Sequence, residues 1–210
     1  MAFLLLFAML MFSSPAVAAQ VECLTLPGGG FLEFSLPADW VFSPVPPDFL
    51  VRTTAADLGR ELATKGETPE PARLEVLARR RLLENEGFVY QPSSKSYLLI
   101  DFSPLAAGAA PPDAATVAAS ARAAAEVLGQ EDGVAAVTTD LRSIAFPGLT
   151  WAWRLDAGYR LDGAPRRFLG IIGFLRPCWV YLYFTDTGAN GNDYMQMDTL
   201  LTGARILPNR

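Results

Sequence analysis

An α+β domain with a mostly antiparallel sheet is the fold class this sequence predicts, and three observations carry it. Short apolar runs bounded by Gly and Pro turn signals recur along the chain. Two stretches with helical periodicity interrupt the early strand-like runs. From Thr150 onward the chain reads as a meander of strands, dominated by RRFLGIIGFLR (Arg166 to Arg176) and CWVYLYFT (Cys178 to Thr185). Strands grouped in this way, with helices inserted between the early ones, give a sheet that helices cover.

The chain opens on an uncharged apolar run, residues 2–12, broken by Ser13, Ser14 and Pro15 and followed by Ala16, Val17, Ala18 and Ala19. This is the pattern of a secretory leader cleaved near Ala18 or Ala19, although no Lys or Arg precedes the run. It is shorter than the about 20 apolar residues that a membrane-spanning helix needs. The expected organisation is a signal peptide over 1–19 and a single domain over 20–210, periplasmic or secreted, with no stable membrane span once the leader is removed. Val21 and Glu22 precede Cys23, so a lipobox is not formed. The net charge of −5 and the lack of a basic tract argue against nucleic acid as a partner.

Val21 to Leu26 is a first strand, turned by Gly28-Gly29-Gly30. These glycines lack the Lys-Ser/Thr of a phosphate loop. Phe31 to Leu36 alternates cleanly, with Leu32, Phe34 and Leu36 on one side. Residues 43–55 are proline-rich and read as irregular. A helical insertion is expected near 55–90, with Leu74, Leu77, Ala78 and Leu82 on one face and Arg79-Arg80-Arg81 on a solvated one. Tyr97 to Phe102 is a strand, and Asp113 caps an alanine-rich helix with Val117, Ala121, Ala124 and Leu128 as its stripe. Residues 134–146 and Thr150 to Leu155 are strands, and Asp162-Gly163 is a turn signal before Arg166. Cys23 and Cys178 are the two cysteines of the mature chain, and in an oxidising compartment the simplest reading is a disulfide between them.

The first hairpin ends in LPADW (Leu36 to Trp40), a helix leads into an antiparallel meander, and Asp198 to Ile206 (DTLLTGARI) closes the chain. In this order of elements the sequence resembles the PsbP/DcrB-like α/β/α sandwich family, whose members often open with a Pro-x-x-Trp hairpin and close with a helix and an edge strand. The resemblance implies an exported accessory or binding protein without catalysis. It brings no catalytic motif to transfer onto these residues.

With no histidine in the chain, Ser-His-Asp and Cys-His systems and histidine-ligated zinc are excluded. No nucleophile–base pair, cofactor motif or metal-ligand set is legible. A carboxylate-based hydrolase using Asp140, Asp156 or Asp186 is a third-ranked reading. The loop Asp186 to Asp193 carries Asp, Asn and Gly but lacks the bidentate acid of a calcium loop, since Met197 stands at its twelfth position. It reads as a strand-to-helix connection capped by Asn192 or Asp193. The strongest feature is aromatic. Trp151 and Trp153 point one way from their strand, and Trp179, Tyr181 and Tyr183 one way from theirs. Paired, they share one side of the sheet, either as core or as a groove rimmed by Arg154 and Arg176 for a partner protein or an apolar small molecule. The expected function is an exported accessory or binding protein of the cell envelope. A small-molecule or lipid carrier is the alternative.

Overall fold

A computed structural model describes residues 20–188 and 191–208; the expected leader over 1–19 lies outside them. Strands β1 (Gln20–Thr25) and β2 (Phe31–Leu36) form the first hairpin. Its glycine turn holds φ values of 85°, 95° and 95°, a region that favours glycine. At Gly30 a Cβ would also sit 2.8 Å from the carbonyl oxygen of Leu207. The short β3 (Val41–Ser43) precedes two helices, α1 (Asp48–Thr64) and α2 (Pro71–Leu82). Strands β4 (Gly87–Tyr90) and β5 (Tyr97–Pro104) follow, then α3 (Ala114–Leu128). The meander is β6 (Val134–Ser143), β7 (Trp151–Leu161), β8 (Ala164–Leu175) and β9 (Cys178–Asp186), closed by α4 (Asn192–Gly203) and β10 (Arg205–Leu207).

Two antiparallel sheets result. The larger has seven strands in the order β3-β4-β5-β9-β8-β7-β6, and the smaller has the order β1-β2-β10. The β8–β9 hairpin therefore sits in the middle of the large sheet. One of its faces, with Leu98, Ile100, Leu169, Ile171, Val180, Leu182 and Phe184, is covered by the small sheet and α4. Leu32, Phe34 and Leu36 of β2 supply that cover, as the period-2 pattern of the strand dictates. The other face carries the helices. The α1–α2 pair packs on Phe88, Tyr90, Tyr97 and Leu99, while α3 lies over the β6–β8 wing. Helices thus lie on both faces of the sheet. Among the described residues no helix is long and apolar enough to cross a membrane.

Several local expectations hold. Asp113 caps α3 by accepting the Thr116 N–H at 2.8 Å. Asp162 and Gly163, at φ 51° and 80°, make the tight β7–β8 turn. Two expectations fail. Residues 43–55 are not wholly irregular, because α1 begins at Asp48 directly after Pro47, whose extended backbone suits the position before a first turn. Cys23 and Cys178 are not paired. Cys23 shares the solvent side of β1 with Val21 and Thr25, whereas Leu24 turns inward to the core that contains Cys178. The pleat therefore points the Cys23 thiol away from its expected partner. Burial, and secondarily the charge of Glu86, pushes the Cys178 thiol up, which keeps it in the unreactive thiol form.

Candidate binding surface

Each residue of β9 that points toward the helical face is aromatic until Thr185. Trp179, Tyr181 and Tyr183 are half-buried and alternate with the buried Val180, Leu182 and Phe184. Pairing extends this row sideways. Trp153 stands opposite Ile172, which stands opposite Tyr181. Trp151 and Trp179 likewise flank Phe174. All five predicted aromatics therefore share one face. The rings form a continuous strip: Phe174 to Trp179 at 5.7 Å, Trp179 stacked on Tyr181 at 6.0 Å, Tyr181 to Tyr183 at 5.8 Å and Tyr183 to Phe168 at 5.6 Å. Separations of this size lie in the range where aromatic pairs attract. Gly170 makes the last contact possible, because a Cβ there would lie 2.9 Å from the Phe168 ring.

The helices cover this strip only in part. Helix α3 presents Val117 and Ala121 against Ile172 and Phe174, and Ser120 shares a hydrogen bond with the Tyr181 hydroxyl. Its small alanine stripe lets it approach the β7–β8 side closely. The α1–α2 pair stays over the β4–β5 side. Strand β9 lies between the two helical bodies, and Trp151 at the β7 end is 42 % exposed. Burial pushes the Tyr181 and Tyr183 hydroxyls up, so both remain neutral donors across the physiological range. Asp101, opposite Tyr181 on β5, is a member of this surface that the sequence reading passed over. Burial first, and the charge of Glu84 second, raise its carboxyl. Its alternation with Tyr97 and Leu99 was the available signal.

The two predicted rim arginines separate. Arg176 is exposed in the β8–β9 turn, at the end of the sheet that carries Trp151 and Trp179. Arg154 is a correction: it follows Trp153 in β7 and so projects from the opposite face. There its Nε and Nη2 donate to the two oxygens of Asp156 at 2.7 Å each, and its Nη1 donates to Asp198 of α4. Tyr194 donates its hydroxyl to Asp156, and Arg142 adds an ion pair to the same carboxylate at 3.0 Å. Burial alone would raise the Asp156 carboxyl. The hydrogen bonds of Arg154 and Tyr194 and the charges of Arg154 and Arg142 outweigh that and hold it below its usual range. A carboxylate held in this way is no proton donor near neutrality. Asp140 is also tied to Arg142. A cavity of about 340 Å³ lies beside this network, lined by Thr138, Asp140, Asp156, Gly158, Arg167 and Tyr194 among others.

No family model matches the sequence, and no curated protein does. Solved structures do match. The solution structure of cyanobacterial PsbP (CyanoP) from Synechocystis sp. PCC 6803 aligns with a TM-score of 0.54 at 11% identity, over 94% of this chain and 99% of that one. The crystal structure of LpqN, involved in cell envelope biogenesis of Mycobacterium tuberculosis, aligns with a TM-score of 0.52 at 14% identity, over 91% and 92%. A central antiparallel sheet faced by helices, shared over most of each chain, gives this protein a PsbP-like α+β fold.

Proposed function

We propose that this is an exported, non-catalytic accessory protein of the cell envelope that holds a partner protein on its aromatic strip. The observation that carries the reading is the strip itself. Trp151 is exposed, four further aromatics are half-buried, and Arg176 stands at one end. Trp, Tyr and Arg are the residues that dominate binding energy at protein interfaces. The carrier alternative has less support, because two cavities among the described residues, of about 340 and 350 Å³, are lined by residues outside the strip. Export rests on the leader-like residues 1–19, after which residues 20–210 form a single domain with its helical insertion. LpqN, a fold neighbour, is itself described as involved in cell envelope biogenesis.

Native mass spectrometry of the protein purified from its own host tests this reading. The expected result is a chain lacking the leader, in complex with a second polypeptide. Trp151→Ala should weaken that complex at least about tenfold while leaving the fold intact, as truncation of an interface anchor does. A bound apolar small molecule in place of a polypeptide would support the carrier instead. A chain that retains residues 2–12, or a complex indifferent to Trp151→Ala, would refute the proposal.

A further inference from the structure

Asp186 ends β9 and Asp193 lies in the first turn of α4, and both side chains are buried, at 0% and 4% exposure. Asp186 accepts the N–H of Gly188 at 3.0 Å and the Ser96 hydroxyl at 3.4 Å, both on Oδ1. Among the described residues its Oδ2 has no hydrogen-bond partner, and neither has the Oδ2 of Asp193. The two carboxyls border one space: a Cβ on Gly188 would lie 3.2 Å from Asp193 Oδ2 and 3.5 Å from Asp186 Oδ1. Two adjacent buried carboxylates with free oxygens are strongly unfavourable unless positive charge joins them. Among the described residues no arginine forms an ion pair with either carboxylate. Arg167, the cross-strand neighbour of Asp186, lies over the Tyr194 ring at 4.8 Å. Arg166 donates to the carbonyl of Thr187 at 2.9 Å.

We propose that the Asp186–Asp193 pair, at the junction of β9 and α4, binds a hard divalent cation of the calcium class. This goes beyond the partner-binding reading and does not depend on it. Calcium takes oxygen ligands in irregular arrangements, and carboxylates combined with neutral oxygens suit it. The neutral oxygens at hand belong to Ser94, Ser96 and Thr187, which are linked to one another and to Asp186 by hydrogen bonds. Among the described residues no third acidic, cysteine or histidine side chain joins the pair. With two carboxylates, the affinity falls in the weak class of extracellular calcium sites, on the order of 10⁻⁴–10⁻³ M. The linear spacing hid this arrangement. An EF-hand places its bidentate acid at position twelve, whereas here the second acid stands at position eight and is brought in by the start of α4.

Thermal unfolding of the chelator-treated protein tests the site, with calcium chloride, magnesium chloride and sodium chloride compared at matched ionic strength. About 10 mM calcium should raise Tm by about 3–5 °C. Magnesium should do less, because it demands near-ideal octahedral geometry. Asp193→Asn, which keeps the shape but removes the charge, should abolish the calcium response. Gly188→Ala should do the same by placing a methyl group against Asp193, and it remains decisive if the Asn variant folds poorly. Absence of a calcium shift in the wild-type chain overturns the proposal, and so does a shift that both variants retain.

Discussion

Phe184→Ala is expected to destabilise the protein by about 3–5 kcal/mol, the range for truncating a buried phenylalanine. Phe184 is fully buried on β9, the fourth strand of seven, and faces the small sheet and α4. Its ring meets Trp40 at 6.1 Å and Tyr194 at 6.4 Å, while Leu98 and Leu169 flank it on the neighbouring strands. Both ring partners are anchored elsewhere: the Trp40 indole donates to Gln196 at 2.7 Å, and Tyr194 donates to Asp156. Neither is free to collapse into the space left behind, which places the cost at the upper end of the range. For a domain of this size that corresponds to a Tm lower by roughly 10 °C. Urea titration provides the check, with a lower midpoint at an unchanged m-value. A loss below about 1 kcal/mol would mean that this layer is not the packed core described here.

The second large effect is expected at Arg154. Arg154→Ala should cost about 2–4 kcal/mol, because it removes the two-pronged partner of the partly buried Asp156, leaving only Arg142 and Tyr194 to hold it, and frees Asp198 as well. The size of this loss should depend on pH. The folded Asp156 carboxyl titrates below its unfolded value of 3.8, so its contribution is complete above that pH and disappears as pH falls through the lower, folded value. The stability gap between the wild type and Arg154→Ala should therefore narrow as pH falls through 3.8 and below. Comparing the two proteins also cancels the opposing contributions of Glu86, Asp101 and Glu131. Burial raises those carboxyls, and they favour the folded state at the acidic end instead. Denaturant titrations of both chains at three acidic pH values would measure the gap. A gap that does not change with pH would show that Asp156 draws no stability from its arginine.

Much of the fold was legible because single-residue rules decide it. The alternation of Phe31 to Leu36, the glycine turn, the Asp162-Gly163 turn and the cap at Asp113 all appear as read. The shared side of Trp151, Trp153, Trp179, Tyr181 and Tyr183 followed from strand period plus hairpin pairing. The same period, applied strictly, also places Arg154 opposite Trp153, and grouping it with the aromatics ignored the pleat. The separation of β1-β2-β10 into its own sheet was not legible. It depends on Arg205 to Leu207 returning to pair with β2, a contact between the two ends of the chain. The unpaired cysteines share that origin, since β1 belongs to the small sheet and its outward side. The ring of acids and arginines around Tyr194 was hidden for the same reason, because α4 meets β6 and β7 only in space.

The strand order of the large sheet also has a consequence for how the chain reaches this structure. β6, β7, β8 and β9 pair each with its sequence neighbour, as do β3 with β4 across the helices and β4 with β5. The two blocks are joined only where Tyr97 to Pro104 meets Cys178 to Thr185, a pairing with α3 and strands β6 to β8 between its partners. Loop-closure entropy makes such a contact slow relative to hairpin formation. The C-terminal meander should therefore be well formed in the folding transition state, and the β5–β9 seam should close after it. Conservative truncations such as Ile100→Val on β5 should then speed unfolding and leave folding unchanged, whereas Ile171→Val on β8 should slow folding. Equal φ-values at the two positions would argue for one cooperative nucleus spanning the seam.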